Sequence, residues 1–208
     1  MTNSEHAPDR RRRRSDGART HAAILDAATR LASVEGLEGL TLGRLAAELD
    51  VSKSGLYAHF GSKEQLQLET IDAALEVFGR EVIVPAHEAP EGLRRLEALF
   101  EAYFSYLERW VFPGGCFFAS LLAEMDARSG AVHEKVVASE RQWLRDFAGY
   151  VEAARSLGEL RADVDIEQLV FELYACMELA NYHFVLFRDP AVLDRGRRAV
   201  AHIVDQAR

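Results

Sequence analysis

An all-α fold follows from three features of the chain. Apolar residues recur at helical spacing, alternating strand patterns are absent, and the five prolines stand at positions 8, 85, 90, 113 and 190. None of them interrupts residues 9–84, where a proline would break a helix. The expected architecture is about nine helices: three short ones, a connecting helix and five longer ones.

Ile24, Ala28 and Leu31 mark the inner face of the first helix, and Gly36 and Gly39 bracket the loop after it. Leu42, Leu45, Ala46 and Leu49 mark the second, with Thr41 placed to cap it. Arg44 occupies the position where Glu or Gln would complete a capping box. A break at residues 50–52 precedes a short third helix pinned by Val51, Leu56 and Phe60. Ser62 with Gln65 forms a capping box for a fourth helix, which carries Leu68, Ile71, Leu75 and Phe78 and runs to about residue 84. Residues 85–90 break the chain before a helix containing Phe100, Tyr103, Phe104 and Trp110. Pro113, Gly114 and Gly115 form the next loop. Ser129 and Gly130 separate two more helices, the second ending near Ser156. Asp165 with Gln168 opens a long apolar helix, and Asp189 and Pro190 supply an N-cap and first-turn proline for the last. Residues 1–16 read as a disordered basic arm, and no internal repeat is present.

With 208 residues, 49% of them hydrophobic and 28% charged, the chain can bury a core as one large or two small domains. No apolar run reaches the roughly 18 residues a membrane span needs, so no membrane partner is expected. No apolar segment follows the arginines at 10–14, which argues against a secretory signal. Cys116 and Cys176 lack the spacing of a disulfide or metal framework, which fits a reduced, cytoplasmic protein with no metal or cofactor. The net charge of −8 is unevenly divided. Residues 1–63 hold 10 Lys/Arg against 8 Asp/Glu (+2), and residues 64–208 hold 15 against 25 (−10). A small N-terminal piece suited to an anionic partner is thus carried on an acidic body.

Residues 41–60 have the sequence form of a helix-turn-helix, whose second helix enters the DNA major groove. With Leu56 and Phe60 inward, Ser52, Lys53, Ser54, Gly55, Tyr57 and His59 occupy the outer surface of that helix. Small residues let the backbone approach the groove floor, and hydroxyls and Lys53 can bond base edges or phosphates. Tyr57, His59 and Lys63 then lie where phosphate oxygens pass, beside the Ser62-capped helix start. The competing reading takes these as solvated residues of a three-helix packing unit. The arginines at 10–14 either follow a phosphate backbone or minor groove, or form a solvated tail.

The stretch "TLGRLAAELDVSKSGLYAHFGSKEQL", preceded by "HAAILDAATRLASVEGLEGL", resembles the DNA-binding domain of the TetR family of bacterial transcriptional repressors. The resemblance covers residues 19 to about 80. It implies a DNA-binding domain over 17–80 and a ligand-binding, dimerising body over 81–208. It further implies phosphate contacts from Thr41, Tyr57, His59 and Lys63, and base-reading or groove-lining roles for Ser52, Lys53, Ser54 and Gly55. Arg44 joins these as a DNA-facing candidate. Ala58 departs from the pattern, where many members carry a second aromatic.

The body resembles the family only in layout. An apolar cavity between its helices is the expected effector site. The candidates to line it are Phe104, Leu107, Trp110, Phe117, Leu121, Met125, Trp143, Phe147, Tyr174, Met177 and His183, although most such residues form ordinary core. Glu124, Glu178, Asn181 and His183 are the polar candidates. His183 has no second His or Cys at ligand spacing and is expected to satisfy a backbone carbonyl instead of a metal. Apolar stripes on the last two helices (Leu169, Leu173, Cys176, Met177, Ala180, Phe184 and Phe187; Val192, Leu193, Val200, Ile203 and Val204) are expected to pair with a second copy in a homodimer. The implied function is ligand-responsive repression at a palindromic DNA operator. The alternative is a helical carrier or enzyme whose N-terminal helices are only structural, with Cys116 as its one conceivable nucleophile.

Overall fold

The computed structural model describes residues 10–208, with side chains from Gly17 onward. Every regular element among them is helical: α1 (Arg10–Glu35), α2 (Leu42–Leu49), α3 (Lys53–Phe60), α4 (Lys63–Phe78), a π turn (Gly79–Ile83), α5 (Val84–His87), α6 (Leu93–Glu108), α7 (Phe117–Met125), α8 (Ala131–Ser156), α9 (Ile166–Phe187) and α10 (Ala191–Ala207). α4, the π turn and α5 follow one another without a break, a single rod passing through the proline at position 85. That proline stands in the first turn of α5, where its missing N–H matters least.

The first helix is longer than expected. Residues 10–16 belong to α1, so the arginine run at 10–14 is helical backbone and not the predicted coil. Residues 1–9 of the expected arm lie outside the described residues.

The caps explain the other boundaries. Thr41 and Ser62 accept hydrogen bonds from the amides of Arg44 and Gln65, both at 3.0 Å, and Asp165 accepts from Gln168 at 3.1 Å. The reciprocal half of the expected Ser62–Gln65 capping box is missing, because the Gln65 side chain reaches forward to Glu69, as Gln168 does to Glu172. At α10 the cap shifts by one residue: Pro190 is the N-cap, and Asp189 accepts from the Ala191 amide at 3.0 Å.

α1, α2 and α3 pack against one another and against the start of α4, around Ile24, Ala28, Leu45, Leu56, Phe60 and Leu66. α6, α8, α9 and α10 form the body, with α7 wedged between α1 and α8. The loop before α7 touches α1 directly: the Gly114 amide donates to the Ser33 hydroxyl at 3.2 Å, and a Cβ at Gly114 would overlap the Ser33 carbonyl. Only glycine fits there.

Most of the stripes expected to face a second copy instead form intramolecular core, although Phe187 is exposed. Leu173, Met177, Ala180 and Phe184 of α9 and Val192, Leu193, Val200 and Val204 of α10 are all buried as these two helices pack on each other and on α6. A different face of α9 is bare, with Phe171, and then Leu179, Tyr182 and Leu186 at intervals of eight, three and four residues. Leu186 is 72% exposed and Phe171 70%.

Candidate DNA interface and effector cavity

α3 buries only Leu56 and Phe60. This i, i+4 pair anchors one side of a two-turn helix and leaves the rest outward. Lys53, Ser54, Gly55, Tyr57 and His59 are all exposed, with Tyr57 at 59%. The turn from α2 uses Asp50 in the left-handed region (φ 52°), and Ser52 caps α3 by accepting from the Gly55 amide at 3.1 Å. The Ser54 hydroxyl donates to Ser52 Oγ at 3.2 Å. A Cβ at Gly55 would meet no atom within 4 Å except Ser52 Oγ, at 3.2 Å. Internal packing therefore makes little demand for glycine at this exposed position.

Two candidates are engaged within the chain. Arg44 forms a bidentate pair with Glu35, at 2.6 to 3.1 Å, and a second pair with Glu48 at 2.9 Å. Its hydrogen bonds hold Glu35 below the usual carboxylate range. Lys63 Nζ donates to both the carbonyl and the carboxylate of Glu38 at 2.9 Å. That hydrogen bond, opposed in part by burial, lowers the Glu38 pKa, and Arg128 lies 3.5 Å from its other oxygen. Either cation must share or exchange its carboxylates to meet a phosphate. His59 lies near His21, their ring centroids 5.7 Å apart, and His21 Nε2 is 2.6 Å from Glu69 Oε2, which ties α1 to α4.

The loop between α1 and α2 is held from the body. The Leu37 and Glu38 amides donate to the Glu124 carboxylate at 2.7 and 2.6 Å, and Gln67 Nε2 donates to the Leu37 carbonyl at 2.7 Å. Glu124, anticipated as a polar group of the cavity, is instead a clamp from α7 onto the helix-turn-helix unit.

The body contains an apolar cavity of about 430 Å³. Its walls are the end of α4 (Leu75, Phe78), the π turn (Gly79, Ile83), Tyr103 of α6, Cys116 and Phe118 around the start of α7, and α8 and α9. Of the eleven predicted lining residues, Trp143, Tyr174 and Met177 are in the wall. The others pack elsewhere. Trp110 stacks on Phe184 at 4.5 Å, and the Arg188 guanidinium lies over the Trp110 ring, 4.3 Å from its centroid. Phe104 lies beneath Arg197, which bonds Glu101 and Glu108. Leu107, Leu121 and Phe147 are buried core, with Phe147 packed beneath Trp143. Phe117 packs on Phe112, and Met125 borders a separate polar cleft beside Arg128. His183 stacks on Phe187 at 5.0 Å. Asn181 accepts from the Cys116 amide at 2.9 Å and so fixes the chain before α7.

Of the polar predictions, Glu178 is in the cavity wall, with Glu140 opposite it on α8. Burial and then the Glu140 charge push Glu178 up to about 7. Burial also raises Glu140, against a hydrogen bond from the Tyr174 hydroxyl at 3.5 Å. The Cys116 thiol is pushed up to about 12, first by burial and then by Glu178. Leu75, Phe78, Gly79, Ile83 and Glu140 were not anticipated. A signal was available: Leu75 and Phe78 continue the apolar repeat of α4 toward its C-terminal end.

A helix-turn-helix with a bare second helix is joined by one rod to a helical body with an apolar cavity. The comparisons agree. The family described as "Bacterial regulatory proteins, tetR family" matches residues 24–70, and "Tetracyclin repressor-like, C-terminal domain" matches residues 92–200. The chain belongs to the TetR family. It is 27% identical over 89 residues to the biofilm operon icaADBC HTH-type negative transcriptional regulator IcaR of Staphylococcus aureus (strain Newman), 42% of this chain and 48% of that protein. The chain thus spans about half the length of that curated relative. It is 22% identical over 173 residues to the HTH-type transcriptional repressor DhaR of Mycobacterium sp. (strain GP1), covering 83% of this chain and 85% of that one. A TetR transcriptional regulator structure from Chloroflexus aurantiacus superposes with a TM-score of 0.84 at 26% identity, over 92% of this chain and 97% of that chain.

Proposed function

We propose that the protein is a cytoplasmic, homodimeric repressor that grips a palindromic operator through α3 and lets go when a small, mostly apolar effector enters the cavity. One observation carries this reading: a single continuous rod has its first turn in the DNA unit, at Lys63 and Ser62, and its far end in the cavity wall, at Phe78 and Ile83. An occupant that favours one setting of the wall therefore favours one setting of α3. A ligand shifts such a balance only through unequal affinity for the two forms.

A second copy covers the bare face of α9, where Phe171, Leu179 and Leu186 otherwise expose apolar surface to water. Two α3 helices in the dimer then read half-sites about 34–36 Å apart. The resemblance-based roles for Thr41, Ser52, Lys53, Ser54, Gly55, Tyr57 and His59 form part of this proposal, and Arg44 and Lys63 join after exchanging internal carboxylates for phosphates. The enzyme alternative loses its nucleophile, because Cys116 is buried with its thiol protonated near neutral pH.

Selection of duplexes from a random pool by the purified full-length chain tests the reading. An enriched inverted repeat is expected. Failure to enrich any duplex at low salt would overturn it.

A further inference from the structure

A carboxylate in an apolar wall is costly unless a cation or several donors accompany it. The wall of the effector cavity carries three carboxylates: Asp146 is exposed and accepts from Gln142 at 2.7 Å, whereas Glu178 from α9 and Glu140 from α8 are half-buried and no cation acts on either among the described residues. Lys135 is the one basic side chain in the described wall, and it is drawn to Asp72 of α4 at 2.6 Å. A second observation points to a missing partner. The Tyr103 hydroxyl, on a residue 2% exposed in the same wall, faces Glu178 but completes no hydrogen bond of good geometry in the chain. Aromatic rings complete the site: Phe78 meets Trp143 and Phe118 edge-on, at 5.3 and 5.9 Å between centroids. Ring faces attract cations.

We propose that the effector is a lipophilic organic cation, an ammonium flanked by apolar groups, with its charge at Glu178 and Glu140 and its apolar part against Phe78 and Trp143. This rests on the reading of the cavity as the effector site. A neutral ligand leaves the two carboxyls without a counter-charge, and an anionic one is repelled by them. The groups facing Glu178 are Tyr103 and Tyr106 from α6, Cys116 before α7, Glu140 from α8, and Tyr174 and Tyr182 from α9. The phenols and the thiol are all raised above their ordinary values, so Glu178, pushed up to about 7, is the group among them that titrates near neutrality, and burial raises Glu140 as well. A permanent cation accordingly binds more tightly as pH rises through about 7 and Glu178 ionises.

The test compares 4-phenylbutyl-trimethylammonium with its neutral carbon isostere, in which a tert-butyl group replaces the ammonium, by titration calorimetry on the full chain. The cation is expected to bind about tenfold or more tightly than the isostere, a gap that a desolvated cation–carboxylate contact readily supplies. Glu178→Gln and Glu140→Gln each narrow the gap while leaving the isostere's affinity unchanged, and circular dichroism checks that both variants fold. Equal or tighter binding of the isostere would overturn the cation assignment and leave the cavity as an effector site. Binding of neither probe would overturn both.

Discussion

At the scale of single residues, the account turns on side chains whose placement the rest of the chain does not require. Gly55 is one. Replacing it with Ala removes a helix-propensity penalty of about 1 kcal/mol and adds one tight contact with Ser52 Oγ, so stability should change by less than about 1 kcal/mol. Operator affinity should nevertheless fall, because the added methyl stands where the backbone approaches the groove; thermal melts and operator titrations on the same variant check both. Glu178 is another. Its carboxyl is held at about 7 in the folded chain against an ordinary 4.5, so between those values the folded state keeps a proton that the unfolded state has lost. Stability therefore declines as pH rises through that window and levels off above it. Glu178→Gln should be more stable than the parent at about pH 8, by on the order of 1–3 kcal/mol, and the difference should close near pH 4; melts across that range measure it. The outward residues of α3 were legible in the sequence because one i, i+4 pair decides which side of a short helix is buried. The cavity wall was not. Trp110 and Trp143 look equally suited to it, and only the left-handed turn at Trp110 (φ 51°) and its stacking on Phe184 take it out of the wall.

At the scale of elements, the rod and the clamp on it matter most. The sequence placed the start of the rod through Ser62. It placed the end at about residue 84, although the chain stays helical to His87 with a π turn on the way. A π turn has no composition signature to read, and its presence against the cavity fits the frequent use of such bulges at functional sites. Glu124 was legible as a polar group in an apolar helix, but its partners lie more than 80 positions away in the α1–α2 loop, beyond the reach of local pattern. Removing it leaves the Leu37 and Glu38 amides without their acceptor. Glu124→Ala should cost roughly 1–3 kcal/mol of stability and weaken operator binding, while cavity-ligand affinity stays near the parent value. Paired operator and ligand titrations separate those effects. A variant that lost ligand affinity and kept operator affinity would place Glu124 in the effector site after all.

At the scale of the whole molecule, an acidic body carries a small unit whose charge is slightly positive, and long-range attraction to DNA is concentrated at that end. The apolar periodicity of α9 and α10 was plain in the sequence, but it could not say which stripe the chain itself would cover. The structure assigns the richer stripes to its own core and leaves Phe171, Leu179 and Leu186 outside. Leu179→Glu, at a residue 55% exposed, should shift sedimentation from dimer to monomer and weaken operator binding with it, since two linked half-sites hold far more tightly than one. The most direct test of the central claim is a fluorescence-anisotropy titration of the selected duplex across a salt series, with the parent chain, Tyr57→Ala and Lys53→Ala. Tyr57→Ala should weaken binding to selected and scrambled duplexes alike. Its salt slope should change by up to about one unit if a phosphate contact is lost, while Lys53→Ala should change which sequence is preferred. Unchanged affinity and preference in both variants would show that α3 does not enter the groove.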